Sequence, residues 1–210
     1  MKPLDILYPP ICLHCKEGME KQLPLCDSCL NNFTLLSVEG RCDRCFVEIS
    51  QRKGRCLLCR QESSPFQQLA SCFEEMGPAK SLLDALLFRE QTYLAKDFAA
   101  YLALQIDRLQ WPTFDLIVGV PPLLPPSPFQ VGKELSQFLG CPFIETLKRK
   151  WTPVPQFSLK KNCNIIHRCV LLLATGMGRG KEISSAGWTL DEGAPEMIYG
   201  ITLCMSSNTS

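Results

Sequence analysis

Eight of the thirteen cysteines fall into four Cys-x-x-Cys pairs: Cys12/Cys15, Cys26/Cys29, Cys42/Cys45 and Cys56/Cys59. Adding 30 to each position of the first two pairs gives the second two. Ten residues separate the pairs within each half, and twelve separate the halves. Such register marks an internal repeat of a small unit. A Cys-x-x-Cys turn presents two thiolates to one ion, and two such turns complete a tetrahedral, all-cysteine zinc site. The intervening "KEGMEKQLPL" and "FVEISQRKGR" need only form short hairpins, with Gly18 and Gly54 as turn residues. A unit this small buries little apolar surface, so the metal must supply much of its folding energy.

The spacing therefore predicts two structural zinc ions. Cys12, Cys15, Cys26 and Cys29 hold one, and Cys42, Cys45, Cys56 and Cys59 hold the other. A cross-braced pairing is the alternative. Four thiolates close each site, so neither is expected to be catalytic. His14 sits inside the first turn and is expected to face solvent rather than bind metal. Around the second pair of turns lie six basic residues, Arg41, Arg44, Arg52, Lys53, Arg55 and Arg60, against Asp43 and Glu48. That excess fits contacts to nucleic-acid phosphates. It equally fits neutralisation of a zinc–tetrathiolate centre, which is itself anionic. Phe33 and Phe46 are expected to pack rather than stack on bases.

A chain of 210 residues holds one medium domain and one small one. With a net charge of +1, global electrostatics select no partner, and any attraction must come from a local patch. No run approaches the ~18 apolar residues of a membrane span, so no membrane insertion is expected. The start "MKPLDILYPPICLHC" is interrupted by Pro9 and Pro10 and does not read as a signal peptide. The expected location is the cytoplasm, where paired cysteines serve metal rather than disulfides.

The predicted division places the metal-binding unit at residues 1–64 and a larger domain at residues 65–210. The polar "RQESSPFQQLA" reads as the linker. "SLLDALLFREQTYLAKDFAAYLALQIDRL" has helical periodicity and predicts one or two amphipathic helices. "FDLIVGVPP" reads as a buried strand, "KELSQFLG" as a helix stopped by Gly140, and "CPFIETLKRK" as a short strand with a basic end. "CVLLLATG" is a second buried strand, "KEISSAGWTLDEGA" a helix weakened by Gly187, and "EMIYGITLC" a last strand. Alternating strands and helices predict an α/β domain with a mostly parallel sheet covered on both faces. Ligands on such sheets bind beyond the carboxyl ends of the strands.

In order, these pieces resemble the ComF/GntX-type competence protein family. The resemblance rests on "LDILYPPICLHC", "LLDALLFRE", "DLIVGVPP", "SPFQVGKELSQFLG", "PQFSL" and "VLLLATGMGRG" following two zinc ribbons. It implies a type I phosphoribosyltransferase-like domain behind an N-terminal double zinc ribbon. It also implies a role in DNA uptake for natural transformation, with single-stranded DNA and a competence helicase as partners.

The same resemblance marks what is missing. "VLLLATGMGRG" falls on the family's loop for phosphoribosyl pyrophosphate (PRPP), where two acids at the strand end hold the ribose hydroxyls. Those acids map onto Ala174 and Thr175, and the family's Thr-Thr-Gly maps onto Gly178, Arg179 and Gly180. Two charge-assisted hydrogen bonds of ~1.5–3 kcal/mol each are thereby lost. Leu87 replaces an expected lysine, and Ser127-Pro128 an expected Arg-Gly. The expectation is a catalytically inactive domain with no catalytic residue, no PRPP binding and no magnesium. The glycine-rich turn, with Gly176, Gly178, Arg179, Gly180 and Lys181, keeps the form of an anion site at a helix N-terminus. The alternative, a tight strand-to-helix turn that binds nothing, stands beside it.

Three functions from different classes follow. The first is a non-catalytic competence-type binding protein. The second is an active phosphoribosyltransferase with a divergent loop, using Arg179 and Lys181. The third is a protein-interaction adaptor. Cys72, Cys141, Cys163, Cys169 and Cys204 are expected in the core, as are Trp111, Trp151 and Trp188. Asp115 is expected to cap or pair, and His167 has no partner at motif spacing.

Overall fold

The computed structural model describes residues 10–89, 91–122, 129–161, 164–176 and 180–206. The thirty-residue repeat of the sequence is a repeat of backbone geometry. An isolated bridge joins Ile11 to Gly18, and another joins Arg41 to Glu48. Helix α1 (Asp27–Asn31) is matched by α2 (Leu57–Gln61). Lys16 and Phe46, one per repeat, both take the left-handed conformation, with φ of 67° and 64°. Each donates its N–H to the carbonyl of the first cysteine of its turn, Lys16 to Cys12 at 3.1 Å and Phe46 to Cys42 at 3.0 Å. That tight knuckle turns both thiols of a Cys-x-x-Cys pair to one side.

The larger part is built on a sheet of five strands in the order β1-β7-β6-β2-β3, every neighbouring pair parallel. The strands are β1 (Gln68–Glu74), β2 (Leu116–Gly119), β3 (Phe143–Ile144), β6 (Cys169–Gly176) and β7 (Met197–Met205). β4 (Leu147–Lys150) and β5 (Gln156–Leu159) form a separate antiparallel hairpin. Helices α3 (Gly77–Phe88), α4 (Leu94–Arg108) and α5 (Phe129–Leu139) cover one face of the sheet, and α6 (Lys181–Asp191) covers the other.

Period-two alternation explains this layering. On β6, Leu171 and Leu173 join the cluster with α3 to α5, while Val170, Leu172 and Ala174 join the cluster with α6. Both faces are apolar because both are covered, so the strand reads as a continuous hydrophobic run. Val170, Leu171, Leu172 and Leu173 are each at most 1% exposed, and each stabilises the fold by about 1.5–3 kcal/mol through burial. A charge at Leu172 would have no water to solvate it and would break the centre of the sheet.

The parallel sheet with helices on both faces is as expected, and the stretch 81–109, read as one or two helices, falls on two, α3 and α4. Two elements differ. β1 lies partly inside the stretch read as linker, and "PQFSL" is strand β5, folded back on the basic segment that is β4. The expected boundary at residues 64/65 falls between α2 and β1.

The metal-binding part is not appended by a free linker. In the first repeat, Leu25, Cys29 and Phe33 enter the cluster under α3 and α4, where Phe33 stacks on Phe73 with ring centroids 4.2 Å apart. Through Phe46, the second repeat enters the cluster on the opposite face of the sheet. Between them the chain runs along the outer edge of β1. Leu36 N–H donates to Cys72 O at 2.8 Å, and Leu69 N–H donates to Arg44 O at 2.7 Å. The buried Gln105 of α4 ties this seam together, donating from Nε2 to Leu36 O at 3.2 Å and to Ser71 O at 3.1 Å.

Candidate functional site

The eight repeat cysteines form two clusters, Cys12/Cys15/Cys26/Cys29 and Cys42/Cys45/Cys56/Cys59, with the ligand atoms of each within 4.8 Å of one another. The pairing is therefore sequential, not cross-braced. Cys15 Sγ lies 3.6 Å from Cys26 Sγ, and Cys45 Sγ lies 3.7 Å from Cys56 Sγ. Sulfurs arranged tetrahedrally at ~2.3 Å from one zinc ion stand close to that separation. Backbone donors point at the sulfurs, as thiolates require: Cys56 N–H at 3.3 Å and Arg44 N–H at 3.5 Å from Cys42 Sγ. Burial pushes the Cys12 thiol up, but N–H groups of Cys26, Cys15 and His14 outweigh it and bring it down to about 6. Cys42 likewise falls to about 7, burial being outweighed by N–H groups of Cys45, Cys56 and Arg44. Both clusters fit structural zinc: four soft donors each, with no fifth ligand among the described residues, and supporting N–H groups. His14 belongs to neither. It is half-buried rather than solvent-facing, and its Nδ1 lies 2.9 Å from Ser81 Oγ on α3.

The six basic residues of the second repeat separate into two groups. Arg41 and Arg44 turn inward. Arg41 donates to Ser37 O and Phe46 O, both at 3.1 Å, and its guanidinium lies 5.1 Å from the Phe46 ring centroid. Arg44 donates to Cys59 O at 3.5 Å, Glu62 O at 3.4 Å and Ser64 O at 3.2 Å. Arg52, Lys53, Arg55 and Arg60 are exposed. Arg52 and Lys53 border a cleft with Trp111, whereas Arg55 and Arg60 border another with Leu57 and Leu58. Phe33 and Phe46 are 8% and 3% exposed, so both are packing residues.

At the carboxyl end of β6, Ala174 pairs with Thr202 and Gly176 with Cys204 of β7. Gly178 and Arg179 lie outside the described residues. Gly180, with φ of 74°, precedes α6, and Lys181 is that helix's first residue. One turn of α6 brings an element that sequence reading missed. Glu182 forms an ion pair with Arg149 of β4. Arg149 also donates to Pro121 O just beyond β2 at 3.1 Å and stacks 5.4 Å above the Phe157 ring. One arginine thus joins the end of β2, the start of α6 and the hairpin. The carboxylate it holds sits where a helix N-terminus would otherwise favour an external anion. An exposed basic strand, "LKRK", hid this, because alternation turns only Arg149 inward and leaves Lys148 and Lys150 exposed.

The remaining residues resolve individually. Cys72, Cys141, Cys169 and Cys204 are buried as expected, and Cys163 lies outside the described residues. Burial pushes the Cys169 thiol up to about 11. Asp115 pairs, accepting from Cys169 N–H at 2.8 Å and from Arg168 at 3.4 Å. His167 adopts φ of 55° and donates its N–H to Ala194 O at 3.0 Å. Trp111 packs between Phe114 and Tyr199. Trp151 and Trp188 depart from the expected core: they are 87% and 44% exposed. Among the described residues, no helix is long and apolar enough to cross a membrane.

No curated protein matches the chain. Among solved structures, it is similar to a purine phosphoribosyltransferase from Pyrococcus horikoshii, at 18% identity over 56% of this chain and 77% of that one, with a TM-score of 0.44. An adenine phosphoribosyltransferase from Saccharomyces cerevisiae gives 19% identity, 57% and 72% coverage and a TM-score of 0.42. A hypoxanthine-guanine phosphoribosyltransferase from Bacillus anthracis gives 16%, 55%, 68% and 0.42. The double zinc ribbon domain matches residues 3–54, which hold the first three cysteine pairs. With the fourth pair completing the second cluster, the N-terminal part of the chain is a double zinc ribbon with two four-cysteine sites.

Proposed function

We propose that the chain is a non-catalytic binding protein of the ComF type, which handles single-stranded DNA with a competence partner inside the cell. One contrast carries this reading. Both metal clamps are complete, while the strand end that should grip a ribose ends in Ala174 and Thr175, with Glu182 held against Arg149. Phosphoribosyl transfer needs dense electrostatic support around a charge-rich transition state. Neither alanine nor threonine supplies the paired carboxylates. On this reading Arg52, Lys53, Arg55 and Arg60 meet the phosphates, and the exposed Leu57 and Leu58 add apolar contact to bases or to a protein partner.

Zinc supplies no chemistry here beyond holding the four exposed cations in place. Parallel titration of the zinc-loaded protein with PRPP and with a short single-stranded DNA tests the proposal. The expected result is DNA binding that weakens steeply with salt, with no saturable PRPP binding. Tight PRPP binding would revive the active-enzyme reading. Indifference to DNA at low salt would leave the adaptor reading in its place.

A further inference from the structure

Trp151 is 87% exposed, the most exposed large apolar side chain among the described residues. It stands where β4 turns into β5. A lone apolar residue on a surface needs no explanation. This one is held in place and set among cations. Thr152 N–H donates to Lys150 O at 3.0 Å, and Thr152 Oγ1 donates to Val154 O at 2.6 Å. Pro153 and Pro155 restrict the same turn through their rings. The root of the hairpin is anchored, with Phe157 5% exposed and Arg149 joined to Glu182 and to Pro121 O. The indole is therefore presented on a stiff mount, and a partner that docks on it costs the turn little conformational freedom.

From Leu147 to Leu159 the hairpin has three basic residues and no acid. Arg149 turns inward to Glu182. Lys148 and Lys150 are exposed on the opposite side, and neither has an ion-pair partner among the described residues. Two residues apart on one strand, they stand about 6.7 Å from each other on one face. Their cross-strand neighbours, Ser158 and Gln156, are neutral hydrogen-bonding groups. The outer face is thus a strip of cations and neutral polar groups that ends at an aromatic ring. Ammonium groups meet backbone phosphates and a flat ring takes a base, the pair of features that single strands require. A bilayer surface suits the hairpin less, because an interfacial anchor buries a broad apolar face, and here Thr152 and Gln156 interrupt Trp151 and Val154. Leu147 and Phe157 share one core cluster with Phe46 of the second ribbon, so hairpin and ribbon pack on the same face of the sheet. A strand held at the ribbon's exposed cations can continue to the hairpin without crossing the sheet.

We propose that the β4–β5 hairpin is a second contact for single-stranded nucleic acid, with a base stacked on Trp151 and neighbouring phosphates on Lys148 and Lys150. This rests on the single-stranded DNA reading of the chain and adds to it a group that senses bases rather than charge. A duplex keeps its bases inside the stack and offers the ring nothing, so this contact selects single strands. Every base has a π-face, so it selects no sequence.

Fluorescence anisotropy of a labelled oligothymidylate with the zinc-loaded full chain tests the proposal. Trp151→Ala should weaken binding about tenfold, and Trp151→Phe should keep most of the parent affinity. Both should melt with the parent, because the side chain lies in water. The double variant Lys148→Gln, Lys150→Gln should reduce the slope of log affinity against log salt by about 1.4, two phosphates at about 0.7 each. A duplex of the same length should bind parent and Trp151→Ala equally. If the parent binds the oligothymidylate and Trp151→Ala binds it as well, the hairpin assignment falls while the DNA reading stands. If the parent ignores the oligothymidylate at low salt, the DNA reading falls and the hairpin contact with it. Sedimentation with phosphatidylcholine–phosphatidylserine vesicles that depends on Trp151, beside oligothymidylate binding that does not, would assign the hairpin to a membrane surface and overturn the proposal.

Discussion

Glu182 and Arg149 form an ion pair at the start of α6. Arg149 is mostly shielded, with 16% of its side chain exposed, while Glu182 retains 40%. Solvent screening at Glu182 keeps the stabilisation from this pair small, about 1 kcal/mol or less. Replacing Glu182 by Gln should therefore leave the fold intact, free the guanidinium and remove a negative charge from the helix N-terminus. Inorganic phosphate should then bind at the start of α6 several-fold more tightly than to the parent, as read by titration of the amide resonances around Lys181. Unchanged affinity would show that the pair does not govern the site. Gly187 predicts the opposite kind of effect. A Cβ there would lie 2.6 Å from the Phe66 ring and 2.8 Å from Pro65 Cγ, so Gly187→Ala should cost about 1–3 kcal/mol in urea unfolding. In sequence this glycine reads only as a weak point in a helix; its reason lies in a segment more than a hundred residues away. The cysteines were legible because tetrahedral coordination imposes local spacing. The inward turn of Arg41 and Arg44 was not, because it depends on carbonyls that the fold brings to them.

At the scale of elements, long apolar runs declared themselves. β2, β6 and β7 are buried on both faces, and nothing but a covered strand tolerates such runs. β1 was hidden by its polar residues: Gln67 precedes it, Gln68 opens it and Ser71 interrupts it, so it resembles linker. Yet Ser71 is fully buried, and its backbone carbonyl is satisfied by Gln105. Substituting Gln105 with Leu keeps the volume but strands the carbonyls of Leu36 and Ser71. A loss of about 1–3 kcal/mol is expected in chemical denaturation. The aromatic junction offers a second check. Phe33 packs on Phe73 and sits 5.0 Å from the Tyr101 ring, joining the first ribbon to β1 and α4. Phe33→Ala should lower stability by about 3–5 kcal/mol, with a loss of protection from hydrogen exchange along β1 as well as in the ribbon. Protection loss confined to residues 10–36 would show that the two parts unfold independently. The β4–β5 hairpin was half legible. "LKRK" reads as a basic end until its partner strand supplies the register that alternates Leu147 and Arg149 inward.

Over the whole molecule, the two ribbons meet opposite faces of one sheet. Leu25 and Phe33 of the first belong to the core beneath α3 and α4, and Phe46 of the second belongs to the core beneath α6. Removing zinc should therefore not produce a frayed tail on an intact domain. Chelation is expected to lower the melting temperature of the entire chain in one cooperative transition, followed by circular dichroism of the helices. An unchanged helical transition after complete metal loss would refute that coupling. Residues 65–210 expressed alone should leave the outer side of β1 with unpaired amides and carbonyls, because Leu36 and Arg44 no longer bond to it. An open strand margin of that kind recruits other strands. The metal thus guards more than its own fingers. Each ion is a rivet in a bracket folded over the rim of the sheet, and a cell short of zinc would hold this protein as a sticky, self-associating plate.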